Sequence, residues 1–392
     1  MLDPGPYYLY SQQETRVRGE TLAVCTRPAL GRWRDWATPA LLLAECAELP
    51  PQAEVLHMHC GAGLAGAAAA RMATDGHVTL VDCHVTAVEA ARRTLAANQV
   101  ANAQALLSDC AQAVLDRVFD CVLALLPKGR AAWEQTILDA ATVLRPGGDL
   151  YLAGPNTGGI KSAAGFVESV FGHVDVVAYR GGCRALHAIR GEHMSIPDSD
   201  YYRWRQLMVE VAGEQLTYVT KPGLFSWEAL DAGTRLLIET LRTHPLSPEA
   251  RALDVGSGSG ALTLVAARQA DKGSVIGVDV DCRAVEATRR TLALGALANA
   301  QATLSDCAEA VWGQTFTSIV TNPPFHREQA TTYALAEQII ADACQLLEQR
   351  GQLYLVANSF LRYGPILESA FGNAQVLRQN NRYRVWYAVK GR

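Results

Sequence analysis

Charge is scarce in this chain. Lys, Arg, Asp and Glu make up 19% of the 392 residues and almost cancel, leaving a formal net charge of −4. That balance gives no global attraction for nucleic acid, so any basic surface has to be local. No apolar run approaches the roughly 20 residues that span a bilayer. The opening M-L-D-P-G-P-Y-Y has no basic stretch leading into an apolar one, which makes a cytoplasmic protein the expectation. The ten cysteines include no C-x-x-C pair and no Cys/His cluster at metal spacing. They read as buried, reduced thiols acting as small hydrophobes, and no metal is expected. Apolar residues, by contrast, make up 49%, which argues for packed cores and against disorder. The length exceeds one ordinary core, so two domains are the first expectation.

An internal repeat supports that count. Residues 89 to 114 read E-A-A-R-R-T-L-A-A-N-Q-V-A-N-A-Q-A-L-L-S-D-C-A-Q-A-V, and residues 286 to 311 read E-A-T-R-R-T-L-A-L-G-A-L-A-N-A-Q-A-T-L-S-D-C-A-E-A-V. The offset is 197 without a gap, and it also matches Val81-Asp82 to Val278-Asp279. An offset of 194 matches Tyr7-Tyr8 to Tyr201-Tyr202 and Thr26-Arg27-Pro28 to Thr220-Lys221-Pro222. The chain is a duplication. Its halves are expected at 1–191 and 192–392, parted by the polar G-E-H-M-S-I-P-D-S.

Within each half, short apolar runs alternate with helix-like segments. In the second half, strands are expected at Arg251 to Val255, Ser274 to Val278, Gln301 to Leu304, Ser318 to Val320 and Gln352 to Ala357. Helices are expected up to about Gln269, over Arg283 to Leu294, and over Thr332 to Leu347. Such alternation predicts an α/β fold, a Rossmann-like parallel sheet with helices on both faces, in two tandem copies. Ligands bind such sheets at the carboxyl ends of the strands.

Residues 254 to 260, D-V-G-S-G-S-G, follow a strand and open a helix. Alone, such a loop fits nicotinamide, flavin and phosphate sites equally. The acids around it narrow the choice. Asp279 ends the second strand, where one carboxylate can accept from both hydroxyls of a ribose. Asp306 ends the third, where it either receives an adenine amino group or caps a helix beginning at Cys307. With Asp254, Gly256, Gly258 and Gly260, these residues resemble the S-adenosylmethionine site of class I methyltransferases.

The stretch V-T-N-P-P-F-H at 320–326 ends another apolar run. Two consecutive prolines cannot sit inside a central strand or a helix. They suit a rigid backbone that holds a carbonyl in place. An exocyclic amino nitrogen of guanine or adenine is a poor nucleophile because its lone pair is delocalised into the ring. Acceptors aimed at its two hydrogens, the Asn322 side-chain oxygen and the Pro323 carbonyl, favour the reactive geometry and the charge that develops. Phe325 is placed to stack on the base. The stretch resembles the (D/N/S)-P-P-(Y/F/W) signature of amino-group methyltransferases.

Together with P-G-L-F-S-W-E-A-L-D-A-G-T-R-L-L at 222–237, the duplicated layout resembles the bacterial 16S ribosomal RNA guanine-N2 methyltransferases. Guanine-N2 methyltransferases that act on 23S RNA are close kin. The resemblance implies a catalytic C-terminal domain, a degenerate N-terminal copy, and Phe225 and Gly233 near the cofactor entrance. It implies S-adenosylmethionine as cofactor and 16S RNA or the 30S particle as substrate. A monomer is expected, since two domains in one chain substitute for a dimer. The first half bears out the degeneracy in its own residues. His57-Met58-His59-Cys60-Gly61 stands opposite Asp254-Val255-Gly256-Ser257-Gly258, and Leu125-Leu126-Pro127-Lys128 opposite Asn322 to Phe325. Only Asp82 and Asp109 remain of the acids. RNA contact is expected of that half, or a purely structural role. Arg180, Arg184, Arg190, Arg203 and Arg205, with Tyr201, Tyr202 and Trp204, form one candidate RNA surface, and Arg378, Arg382, Arg384, Lys390 and Arg392 a second. The competing readings are guanine-N2 methylation of 23S RNA, methylation of protein glutamine or DNA adenine, and a non-enzymatic RNA-binding assembly factor.

Overall fold

The computed structural model describes residues 5–31, 33–324 and 329–391. The chain forms two compact units. One spans Tyr8–Tyr201; the other runs from Tyr202 to the C-terminus and also takes in the N-terminal segment through Tyr7. The units therefore divide at Tyr201/Tyr202, past the expected 191/192, and the first segment of the chain belongs to the second unit.

The first unit opens with a hairpin, β1 (Ser11–Val17) and β2 (Glu20–Thr26), followed by α1 (Trp33–Cys46). Next come β3 (Glu54–Met58), α2 (Leu64–Met72), β4 (His77–Asp82), α3 (Val85–Ala97) and β5 (Ala103–Leu107). It closes with β6 (Phe119–Leu125), α4 (Arg130–Val143), β7 (Leu144–Pro155), α5 (Ile160–Phe171), β8 (Asp175–Arg180) and β9 (Cys183–Ile189). The second unit repeats this order. Its hairpin is β10 (Arg205–Val211) and β11 (Glu214–Thr220), followed by α6 (Ala232–Thr243). Then come β12 (Arg251–Val255), α7 (Ala261–Gln269), β13 (Ser274–Asp279), α8 (Cys282–Leu294) and β14 (Ala300–Leu304). It ends with β15 (Phe316–Thr321), α9 (Gln329–Leu346), β16 (Leu347–Asn358), α10 (Tyr363–Phe371), β17 (Gln375–Gln379) and β18 (Tyr383–Val389).

Each unit holds one seven-stranded sheet. The orders are β5-β4-β3-β6-β7-β9-β8 and β14-β13-β12-β15-β16-β18-β17. The first five strands of each are parallel, as expected. The sixth is not: β18 runs antiparallel to β16 and to β17, so β17 at the edge again points the same way as the first five, and β9 and β8 do likewise in the first unit. The expected parallel sheet thus carries one antiparallel strand. Only three residues separate β17 from β18, and so short a link permits a hairpin but no crossover.

In the second unit the chain moves outward from β12 to β13 and β14, then returns to lay β15 on the other side of β12. That reversal opens a crevice between β12 and β15 at their carboxyl ends. The pairing puts Val255 opposite Thr321, so the glycine loop and Asn322 leave adjacent strands at the same level. Leu253, Ile319 and Val320 are fully buried beneath them. Each of these strands is covered on both faces, and its near-continuous apolar run follows from that.

Candidate active site

The glycine loop is tied down at nearly every residue. The Gly256 and Ser257 amides donate to the Val278 carbonyl at 2.8 and 3.0 Å, and the Gly258 amide donates to Asp279 Oδ2 at 2.9 Å. From α8, the Thr288 hydroxyl donates to Ser257 Oγ and to the Gly258 carbonyl, and that of Thr291 to the Ser259 carbonyl at 2.7 Å. Gly256 and Gly258 have φ of +80° and +55°, and a Cβ on either would meet only open space. Gly260 is required for a different reason. It precedes α7 at φ +81°, and a Cβ there would lie 2.9 Å from Thr288 Cα. The first two glycines thus leave room for a ligand, and the third lets two helices approach.

Asp279 holds this loop from the tip of β13, where its Oδ1 also accepts from the Asp281 amide at 3.0 Å. Asp254 is completely buried. Its Oδ2 accepts from the Thr263 hydroxyl at 2.6 Å, while Oδ1 has no hydrogen-bond partner among the described residues. Burial, opposed by the Thr263 bond, pushes its carboxyl up to about 7. Asp306 is buried and its Oδ1 accepts from the Tyr7 hydroxyl at 3.2 Å. The short helix that follows carries Ala308 at its N-cap, not Asp306. Tyr7 comes from the far end of the sequence, and no local pattern pointed to it. The repeat itself carried the signal: Tyr201, its counterpart, donates to Asp109 Oδ1 at 3.0 Å in the first unit.

The two ends of the Asn322 amide are treated differently. Its Nδ2 donates to Asp231 Oδ2 at 2.9 Å and to Thr234 Oγ1 at 2.8 Å. Its Oδ1 is buried and has no partner among the described residues. Pro323, next in line, is buried, and Pro324 is exposed. Phe325 and His326 lie outside the described residues. A cleft beside Asn322 is lined by Gly256, Ser257, Gly258, Asp231, Thr234, Phe225 and Tyr218 among others. Phe225 is 62% exposed at this cleft. Gly233 does not line it; it is buried in α6, where a Cβ would press on Asp231 Oδ2 and the Tyr383 ring. Asp231, Thr234 and Tyr218 were missed in the sequence. The Tyr218 hydroxyl is also buried without a partner among the described residues. The D-A-G-T spacing is a helix N-cap signature, and it gave the only sign that Asp231 and Thr234 act together.

The first unit keeps the same scaffold with other residues. Asp82 accepts from the Gly61 and His84 amides, both at 3.0 Å, as Asp279 does from Gly258 and Asp281. His59 occupies the place of Gly256 in a left-handed conformation at φ +52°. Its ring nitrogen Nε2 lies 2.8 Å from Thr136 Oγ1. His57, in place of Asp254, is fully buried and held neutral, its value pushed down to about 3 by burial. The candidate RNA arginines have protein neighbours. Arg180 pairs with Glu45, Arg184 donates to Asn156, and Arg190 donates to the Ala141 carbonyl. Trp204 has the Lys221 and Arg290 side chains over its ring, and Arg378 pairs with Glu239. Tyr201 is buried, whereas Arg203 and Arg205 are exposed. Arg392 lies outside the described residues. All ten cysteines are free thiols, and no helix among the described residues is long and apolar enough to cross a membrane.

Comparison with known proteins agrees with this geometry. The model of the family described as methyltransferase small domain matches twice, over residues 22–187 and 215–387. The ribosomal RNA small subunit methyltransferase C of Stutzerimonas stutzeri (strain A1501) is 35% identical over 274 residues, covering 70% of this chain and 80% of that protein. The protein of the same name from Cronobacter sakazakii is 33% identical over 273 residues, covering 70% and 76%. Among solved structures, the T. thermophilus 16S rRNA N2 G1207 methyltransferase, in complex with AdoMet and guanosine, matches with a TM-score of 0.81 at 29% identity. The match covers 99% of this chain and all of that one. The two-unit fold is thus shared with that structure along the whole length, and the chain belongs to the ribosomal RNA small subunit methyltransferase C family.

Proposed function

We propose that the C-terminal half, residues 192–392, transfers a methyl group from S-adenosylmethionine to the exocyclic N2 amino group of a guanine in 16S ribosomal RNA. The observation that carries this reading is the Asn322 amide oxygen, buried and without a partner among the described residues, beside the glycine-loop cleft. A buried acceptor without a donor costs roughly 1–3 kcal/mol. Such a cost is understandable at a site where a substrate donor completes the bond.

The residues fit the cofactor. Gly256 and Gly258 leave an open cradle, Asp279 stands at the tip of β13, and the cleft wall carries the Tyr218 hydroxyl, which has no partner among the described residues. S-adenosylmethionine supplies, when bound, an electrophilic methyl carbon on a sulfonium sulfur. The chain supplies orientation. Asn322 Oδ1 and the Pro323 carbonyl accept the two amino hydrogens of guanine, turn its nitrogen lone pair toward the methyl, and stabilise the positive charge that grows there. Phe325 stacks on the flipped base. No strong base is needed, because the methylated nitrogen is acidic until it releases its proton. Asp254, Gly260 and Asp306 complete the cofactor site, with Phe225 at its entrance and Gly233 supporting α6.

The N-terminal half, residues 1–191, neither holds the cofactor productively nor catalyses; it serves RNA binding or support of the fold. The protein acts as a monomer on 16S RNA or the 30S particle, in the cytoplasm where ribosomes are assembled. Methyl transfer from labelled S-adenosylmethionine to 16S RNA, 30S particles, 23S RNA and a protein substrate, followed by nucleoside analysis, tests the assignment. N2-methylguanosine confined to 16S RNA or 30S particles is expected. The same nucleoside in 23S RNA alone, or label only in protein, refutes it.

A further inference from the structure

A side-chain amide is ambidextrous. Rotated by half a turn, it presents two donors where it had presented an acceptor, at almost no steric cost. A catalytic Asn that must accept from an amino group therefore needs something to forbid the flipped state. In this chain both neighbours of the Asn322 nitrogen are oxygens. Asp231 Oδ2 lies 2.9 Å from Nδ2 and Thr234 Oγ1 lies 2.8 Å from it. Flipping Asn322 would put its oxygen against the Asp231 carboxylate, an acceptor against an acceptor.

Asp231 is itself held. It is the N-cap of α6, and the same Oδ2 accepts from the Thr234 amide at 2.9 Å. The helix start thus fixes the carboxylate, and the carboxylate fixes the amide. Gly233 lets the turn close, since a Cβ there would lie 3.0 Å from Asp231 Oδ2 and 3.1 Å from the Tyr383 ring. The whole device is built from D-A-G-T at 231–234 and Asn322, and Asp231, Thr234 and Asn322 all line the cleft.

We infer that Asp231, assisted by Thr234, is a positioning residue that makes Asn322 an obligate hydrogen-bond acceptor and so sets the site's preference for a base bearing an amino group. The inference rests on the reading of Asn322 as the acceptor of the guanine amino hydrogens. Asp231 touches neither substrate nor cofactor in this scheme; it acts through Asn322.

The test uses the full chain with four variants: N322A, D231A, D231N and T234V. For each, kcat for methyl transfer to 16S RNA or 30S particles is measured beside the Kd for S-adenosylhomocysteine. D231A is expected to lower kcat by about ten- to a hundredfold, in line with loss of a hydrogen bond to a charged group, with Kd changed less than about threefold. Asn is as good an N-cap as Asp and keeps an amide oxygen facing both donors, so D231N should recover most of that loss. T234V, which keeps the backbone cap, should lower kcat severalfold at unchanged Kd. Should D231A fail to fold, the T234V and D231N results decide alone. An unchanged kcat in T234V together with D231A, or in T234V alone if D231A is unfolded, overturns the inference. So does a D231N no better than D231A. If N322A retains full turnover, the underlying acceptor assignment has failed instead, and the two failures are distinguishable.

Discussion

Replacing Asn322 by Ala removes one oxygen and one nitrogen whose roles are separate. The nitrogen makes two bonds within the protein, to Asp231 and Thr234. The bond to the Thr234 hydroxyl contributes about 1 kcal/mol net and the bond to the charged Asp231 carboxylate roughly 1.5–3 kcal/mol. The oxygen makes none among the described residues, and its removal returns part of the cost of leaving a buried acceptor unpaired. The net change in stability should stay under about 3 kcal/mol, less than the roughly 5–15 kcal/mol that holds a domain folded. The effect on rate should be larger. Deleting one preset dipole aimed at developing charge typically lowers kcat by roughly 10²–10³-fold, or about 3–4 kcal/mol of barrier. Cofactor affinity should hardly change, because none of the Asn322 bonds runs to the glycine loop, which hangs from Val278, Asp279, Thr288 and Thr291. Single-turnover methyl transfer measures the first quantity and calorimetric titration with S-adenosylhomocysteine the second. A loss of rate under about fivefold, or a weakening of cofactor binding that accounts for the loss of rate, would refute the reasoning.

The duplication supplies controls for the remaining predictions. Asp279→Ala should raise the Kd for S-adenosylhomocysteine by about 10- to 100-fold, whereas Asp82→Ala, which breaks the equivalent backbone bonds, should leave it unchanged; equal effects in the two halves would mean that Asp279 acts only on the fold. Tyr7→Phe removes the hydroxyl that burial and the Cys307 and Asp306 side chains keep protonated, and with it the bond to Asp306. It should weaken cofactor binding severalfold without changing kcat at saturation, while Tyr201→Phe, at Asp109, should not; a Tyr7→Phe titration indistinguishable from wild type counts against Asp306 as a cofactor residue. Asp254 holds its proton more tightly when folded, with a value of about 7 against an ordinary 3.8. Its contribution to stability is therefore complete below 3.8 and is lost as pH rises through 7. Asp254→Asn should remove that part of the pH dependence, and urea unfolding at about pH 5 and pH 8 that showed the same pH difference in variant and wild type would contradict this.

Much of the architecture was legible because it depends on near-neighbours in sequence. Apolar runs and helix periodicity located β12, β13, β15 and α8 to within a residue or two. Loop and Asn322 could be assigned to one strand edge before their pairing was known. What was missed depends on tertiary proximity. The antiparallel end of each sheet follows from a short turn, three residues between β17 and β18, which an expectation of βα alternation overrode. Tyr7 and Asp306 are 299 positions apart, and Asp231 and Asn322 are 91 apart; periodicity is blind to both. The arginines proposed as an RNA surface depend on tertiary contacts in the same way. A cluster in sequence does not show whether a guanidinium faces solvent or, like Arg190, closes a backbone carbonyl in its own unit.

The two halves also show how a site can disappear while its fold stays. In the second unit, Asp254 accepts from Thr263, and Thr263 has room because residue 277 is glycine: a Cβ there would lie 2.8 Å from Thr263 Oγ1. The positions 197 earlier are His57, Gly66 and Leu80. A side chain at Gly66 would overlap Leu80 and lie 3.1 Å from His57 Nδ1. Space vacated by the threonine is thus filled by an imidazole and a leucine. The three residues trade volume among themselves, so packing is kept near native density while the carboxylate is gone. The loop tethers that do not touch a ligand, such as Asp82 to the Gly61 amide, persist unchanged. Such a half cannot be reactivated one residue at a time. Aspartate at position 57 would bury a carboxylate with no hydroxyl to meet it, and threonine at 66 would collide with Leu80 unless that position became glycine as well. Loss of the ligand-facing residues and retention of the tethers are separable because they involve different atoms of the same loop, and that separation is what allows one chain to carry two copies of a sheet with only one complete loop-and-amide cleft.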